Sequence, residues 1–197
     1  MADTLTRQSP LQDFASRFAD LPDSTHVSEE PFTAMVDLWA DPSGTDGAAA
    51  AGVLGIAALP ATPSTLIDGP DCTVLWMGPQ EWLVTSTALS GNELEARLRE
   101  SVGDHGGAAV DVSAQRTTVR LRGAHARDVL AKGCSLDLHP RVFGRSAAAQ
   151  TMLGLAAVVL IPLDHNGTDY RILVRSSFAG YLADWLIDAA EEFGVDR

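Results

Sequence analysis

The sequence predicts an α+β fold of two ferredoxin-like α/β half-domains with mostly antiparallel sheets. Three observations carry it. Strand-length segments come in pairs joined by tight turns, as at 72–77 with 81–86 and 108–113 with 116–123. Amphipathic helices stand between those pairs, which layers helices on one face of each sheet. The chain has 197 residues, which suits one large domain or two small fused halves with a buried core.

Taken in order, LQDFASRFADL predicts a short amphipathic helix, with Leu11, Phe14, Phe18 and Leu21 at spacings of three and four. Residues 1–30 are set apart as a partly flexible N-terminal arm, and 31–194 as the α+β domain. The arm either frays or wraps a partner, since Phe14 and Phe18 are costly to leave in water. PFTAMVDLW (31–39) alternates as a strand, and DPSG (41–44) is a turn. Asp46 is placed as N-cap of an Ala-rich helix ending near Leu54, with Gly55 as a left-handed cap. LPATPSTLIDGPD reads as loop because its three prolines block regular pairing. Strands follow at 72–77 and 81–86, a helix at 91–103, strands at 108–113 and 116–123, and a helix at 124–133. Strands at 149–153, 155–163 and 169–176 precede a last helix at 177–194, with Ser177 as its N-cap. Phe178, Tyr181, Leu182, Trp185, Leu186, Ala189 and Phe193 make one apolar stripe on it, and Glu191 and Glu192 face water. No tandem repeat is visible in the sequence.

Composition narrows the function. Hydrophobic residues are 46% and charged residues 20%, which is globular. No apolar run is long enough to span a bilayer. MADTLTRQSPLQDF lacks the basic and apolar regions of a secretory signal, so a cytoplasmic location is expected, without membrane association. The net charge of −12 argues against nucleic acid as a partner. Cys72 and Cys134 lie outside any CxxC motif; a disulfide fits poorly with a reducing compartment, and structural zinc is not indicated.

Sequence signals for chemistry are sparse. GxSxG, GxxxxGK, HExxH and EF-hand patterns do not occur. GTDGAAAAG is Gly-rich but lacks the GxGxxG spacing and its strand–turn–helix context. Cys134 near His139 is either a nucleophile with its base or a small thiol beside a loop histidine; the helix C-terminus before Cys134 disfavours a thiolate. Asp111 and Ser113 in VDVSAQ either orient a substrate amine or cap the turn. Arg116, Arg120, Arg122, Arg127, Lys132, Arg141 and Arg145 form a basic region; the first three share one face of a strand. That face is either solvated or docks an acidic partner or anion.

WMGPQEWLV (76–84) is the other feature. Pro79 pre-sets a Gly-Pro turn between Trp76 and Trp82. Leu83 points away from Trp82, so this strand has two apolar faces, one for a core and one against something else. Tryptophans beside a turn also suit an interface.

This hairpin resembles the W-L-G-P-D-E-W-L hairpin of the gamma subunit of heterotetrameric sarcosine oxidase, with Gln80 where the family usually has Asp. The similarity continues through VDVSAQRTTVRLRGAHARDVLAKGCSLDLHPRVF (110–143), AQTML (149–153) and YRILVRSSFAGYLADWLIDAAEEF (170–193). It covers most of 70–194 and reaches weakly back to 31. It implies a glycine-cleavage T-protein-like fold, similar to folate-binding relatives. It also implies a non-catalytic structural subunit of a complex that oxidatively demethylates sarcosine to glycine, with one-carbon transfer to tetrahydrofolate and peroxide formation. The partners implied are the alpha, beta and delta subunits, to which FAD, FMN, NAD, zinc and tetrahydrofolate are assigned; this chain would bind none and hold no catalytic or metal residue. Trp76, Trp82, Arg116, Arg122 and Arg141 are then candidate subunit contacts. Asp111-Val112-Ser113 resembles the D-x-S turn of the fold. Lys132-Gly133-Cys134 opens like the K-G-C-x-x-G-Q-E signature of folate-binding relatives, but the Gly-Gln-Glu part is missing. The alternative is a free-standing folate-binding or aminomethyltransferase-like protein of the same fold.

Overall fold

The computed structural model describes residues 6–194. Ten strands form two five-stranded antiparallel sheets. The strands are β1 (His26–Glu30), β2 (Ala34–Trp39), β3 (Leu66–Asp68), β4 (Thr73–Gly78), β5 (Glu81–Ser86), β6 (Ala108–Asp111), β7 (Arg116–Arg122), β8 (Ala149–Leu153), β9 (Ala156–Pro162) and β10 (Asp169–Arg175). The helices are α1 (Ala15–Ala19), α2 (Thr45–Leu54), α3 (Gly91–Val102), α4 (Ala126–Ala131) and α5 (Ala179–Ala190). Sheet I has the order β3-β4-β5-β2-β6, and sheet II the order β1-β7-β10-β9-β8.

The element order contains a repeat. β1-β2-α2-β3-β4-β5-α3 has the same succession as β6-β7-α4-β8-β9-β10-α5. Each repeat lends its first strand to the other's sheet: β1 pairs with β7, and β6 with β2. Read as β6-β2-β5-β4-β3, sheet I therefore matches sheet II strand for strand. These are the two ferredoxin-like halves, joined by an exchange that sequence periodicity does not reveal.

Alternation along the strands sends apolar side chains to both faces. On one face of sheet I, Val36, Leu38, Val74, Trp82 and Val84 pack with Leu54 of α2 and Leu94, Leu98 and Val102 of α3. On one face of sheet II, Val119, Leu121, Ile172 and Val174 pack with Phe18, Val129, Leu130, Leu182 and Leu186 of α1, α4 and α5. The remaining faces meet through Met35, Leu66, Leu75 and Leu83 of sheet I and Val159, Ile161 and Leu173 of sheet II. The result is four layers: helices, sheet I, sheet II, helices.

Residues 1–5 of the segment set apart as an arm lie outside the described residues. Residues 6–30 are woven into the fold. Leu11 and Phe18 are buried in the sheet II core, and Phe14 and Leu21 pack against it. β1 is an edge strand of sheet II.

Several local expectations need correction. Gly44, not Asp46, precedes α2. Asp46 is the second residue of α2, in its first turn, and accepts the Asp41 N–H at 2.7 Å; that bond holds its carboxyl below the ordinary value. Gly55 is left-handed at φ 67° and closes α2 as expected. The proline-rich loop holds the short strand β3, which has room to pair with β4 between Pro63 and Pro70. Ser177 lies within a 3-10 turn, Ser176–Phe178, and does not cap α5. α3 starts from an unforeseen capping box, with Ser90 Oγ accepting the Glu93 N–H and Glu93 accepting the Ser90 N–H.

Candidate functional site

Trp76 and Trp82 face each other across β4 and β5. Trp82 is fully buried, and its indole N–H donates to the Pro60 carbonyl at 2.9 Å. Trp76 is half-buried against the same cluster. Leu83 points the opposite way, into the layer between the sheets. The two apolar faces of β5 are thus both satisfied inside this chain: one against helices, the other against sheet II. Trp82 presents no surface of its own.

Asp111 and Ser113 cap the turn between β6 and β7. Asp111 Oδ1 accepts the Ser113 N–H at 2.8 Å and also the Ser113 hydroxyl, while Ser113 Oγ accepts the Met35 N–H at 2.9 Å. Both side chains press on Gly91 at the start of α3, where an added Cβ would lie 2.5 Å from Asp111 Oδ2 and from Ser113 Oγ. The turn role is the one the geometry shows.

Cys134 and His139 are not brought together as nucleophile and base. Cys134 Sγ lies 3.9 Å from Thr151 Oγ1, and His139 Nδ1 accepts the Arg141 N–H at 3.2 Å. Cys72 and Cys134 are both free thiols. Burial, then Asp71 and Asp68, push the Cys72 thiol up, away from a reactive thiolate. Among the described residues, no group of three or more His, Cys, Asp and Glu side chains could hold a metal ion.

The basic region separates into two faces. Arg116, Arg120 and Arg122 share the inner face of β7, as a period of two requires. Arg127 and Lys132 go with α4, on the opposite side of sheet II, and Lys132 pairs with Glu192 at 2.6 Å. Arg120 donates two hydrogen bonds to Asp169, at 2.9 and 2.6 Å. Arg171, its cross-strand neighbour, donates two to Glu30, at 2.5 and 3.2 Å. Arg122 and Arg141 are exposed.

Arg116 and Arg175 are also direct cross-strand neighbours. Among the described residues no carboxylate lies within salt-bridge distance of either; Arg116 donates to Gln115 at 2.7 Å. Burial, then Arg175, holds the Arg116 guanidinium below its ordinary pKa, with Asp37 and Glu81 acting against that.

The surface also carries a polar cleft and an exposed apolar end of sheet II. A cleft of about 490 Å³ opens between the sheets, lined by Asp68, Asp71, Thr73, Thr118, Arg145 and Arg171 among others. Its charges are of both signs, and Glu30 already occupies Arg171. At the end of sheet II that carries the β8–β9 turn, large apolar side chains stand in solvent: Met152 at 46%, Leu155 at 73%, Phe178 at 44% and Tyr181 at 37% exposure. Phe178 and Tyr181 belong to the apolar stripe that the sequence predicts for the last helix. One signal was available: Leu155 sits in the two-residue turn Gly154-Leu155, where polar residues are usual.

The fold places this chain in a recognisable class. It is similar to the glycine cleavage system aminomethyltransferase T from Bartonella henselae, with a TM-score of 0.60, 12% identity, and coverage of 88% of this chain but 48% of that one. That likeness shows a T-protein-like fold alone. The family follows from closer relatives. The model of the sarcosine oxidase, gamma subunit family matches residues 39–192. Sarcosine oxidase subunit gamma of Corynebacterium sp. (strain P-1) is 36% identical over 98% of this chain and 94% of its own length. The Arthrobacter sp. subunit is 34% identical over 96% and 93%. The heterotetrameric sarcosine oxidase from Corynebacterium sp. U-96, solved in complex with pyrrole 2-carboxylate, contains a chain matched with a TM-score of 0.87 and 34% identity, over 97% of this chain and 98% of that one. The chain belongs to the sarcosine oxidase gamma subunit family.

Proposed function

We propose that this chain is a small, non-catalytic structural subunit of a heterotetrameric sarcosine oxidase. The complex oxidatively demethylates sarcosine to glycine, with one-carbon transfer to tetrahydrofolate and hydrogen peroxide formation. The observation that carries this reading is the 36% identity to a gamma subunit over 98% of the chain. Three features support the non-catalytic role. Asp111 is committed to a turn, Cys134 and His139 are apart, and Arg120 and Arg171 of sheet II are taken up by Asp169 and Glu30. The alpha, beta and delta subunits are the proposed partners, and FAD, FMN, NAD, zinc and tetrahydrofolate are proposed to reside in them. A cytoplasmic location belongs to the same proposal; no helix among the described residues is long and apolar enough to cross a membrane. Trp76, Arg116, Arg122 and Arg141 are proposed subunit contacts, with Trp82 supporting the hairpin from within.

The test separates the chain from its complex. The isolated chain is expected to produce no peroxide from sarcosine and to show no saturable tetrahydrofolate binding. The same tagged chain, drawn gently from its native cells, is expected to bring down other chains, a yellow colour and sarcosine-dependent peroxide. Saturable folate binding by the isolated chain, weakened by Asp111→Ala, would replace this reading with a free-standing folate-binding protein.

A further inference from the structure

We propose that the exposed end of sheet II is the face on which this chain docks a non-identical subunit, one that presents an apolar surface flanked by carboxylates. This rests on the reading of the chain as a complex subunit and adds the surface and the chemistry of the partner.

Strand register assembles one side of this end of sheet II, and the start of α5 supplies the other. Met152 pairs with Ala157 across β8 and β9, and Arg175 with Arg116 across β10 and β7. Val174 opposite Val158 puts Arg175 beside Ala157 in the same row. This row lies next to Leu173 and Val159 on the side of sheet II turned to sheet I; Arg116 is half-buried there near Asp37 and Glu81, while Arg175 and Met152 are exposed. Leu155 forms the adjoining turn, and its N–H donates to Tyr181 Oη at 2.9 Å. Tyr181 meets Phe178 edge-on at 6.5 Å. The apolar side chains are therefore held in place by the fold, not loose on a tail. Single exposed apolar residues are ordinary, but a contiguous, positioned group of them marks an interaction site.

The arginines define the partner's chemistry. Like charges directly opposite on a sheet repel. The neighbouring pair, Arg120 and Arg171, resolves this with Asp169 and Glu30. The Arg116–Arg175 pair has no carboxylate within salt-bridge distance among the described residues; Asp37 and Glu81 of sheet I act on Arg116 from farther off, and Arg175 is exposed. Carboxylates from outside would supply the planar, two-pronged pairing that Arg favours. A second copy fits less well, because a two-fold contact here would bring four arginines together. In the Corynebacterium enzyme the matching chain belongs to a heterotetramer, which is the setting in which such a face would be covered.

The experiment is co-expression of the tagged full-length chain with its complex, comparing Leu155→Asp, Phe178→Ser and Arg175→Glu with Val53→Asp. Val53 is an exposed apolar residue on α2, far in the fold from this face. Thermal melting of each isolated variant confirms folding. The face variants are expected to lose partner capture by about tenfold or more, with melting unchanged, while Val53→Asp assembles like the parent. Parent-like capture by all three face variants would overturn the proposed face and leave the subunit reading standing. A parent chain that captures no other chain would instead remove the subunit reading. A parent chain that self-associates through this face would overturn the non-identical partner.

Discussion

Trp82 and Tyr170 are both buried large aromatics, yet they differ in how their polar atoms are treated. The Trp82 indole has its acceptor in Pro60. Trp82→Ala is expected to cost about 3–5 kcal/mol, through lost packing and an unpaired carbonyl. Denaturant unfolding measures it, and a loss under 1 kcal/mol on that scale would contradict full burial. Tyr170 Oη lies buried without a hydrogen-bond partner among the described residues. Burial pushes its phenol up to about 12. A folded-state pKa above the unfolded value of about 10 means the contribution is complete below about pH 10. It is lost as pH rises through about 12. Tyr170→Phe should therefore be neutral or stabilising by about 1 kcal/mol at neutral pH and should remove that alkaline loss. Melting temperatures measured from pH 8 to 12 decide it; a clear destabilisation at neutral pH would show that the hydroxyl is satisfied.

At the scale of elements, the start of α3 shows why helix propensity is a weak guide. Alanine ordinarily helps a helix where glycine stands. At Gly91 an added Cβ meets the carboxylate of Asp111 and the hydroxyl of Ser113. Gly91→Ala is expected to destabilise by about 1–3 kcal/mol despite its better propensity; a rise in stability would contradict the packing described for that turn. Most elements were legible because their signals are local. The strands at 81–86 and 149–153 match residue for residue, since turn residues bound them: Gly78-Pro79-Gln80 ahead of the first and Gly154 after the second. The start of α5 was not legible. Its apolar stripe includes Phe178 and Tyr181, but both stand partly in solvent beside the β8–β9 turn, and Ala179 and Ala183 take the buried positions. Periodicity reports which residues share a face, not how far the opposing layer extends. The Arg cluster failed similarly: neighbours in sequence went to opposite sides of sheet II, because β7 and α4 lie on different layers.

For the molecule as a whole, strand exchange is the organising feature. β1 closes sheet II while β6 closes sheet I, so neither half is complete without the other. Removing residues 1–30 takes away an edge strand together with Leu11, Phe18 and Val27 of the core. The truncated chain is expected to lose cooperative unfolding and become insoluble; a cooperative melt like that of the parent would contradict the weaving of this segment into sheet II. The alternation of β5 foretold two apolar faces, but only the fold reveals that the second face meets the chain's own repeat. Family membership was legible from the hairpin and the C-terminal segments, and the exposed end of sheet II required the structure. The central claim is that this chain works inside an assembly of unlike chains. The native mass of the particle carrying the tagged chain tests it most directly. One stable particle holding this chain with three non-identical partners is the expected result; a lone monomer, or an assembly of identical copies, would contradict it.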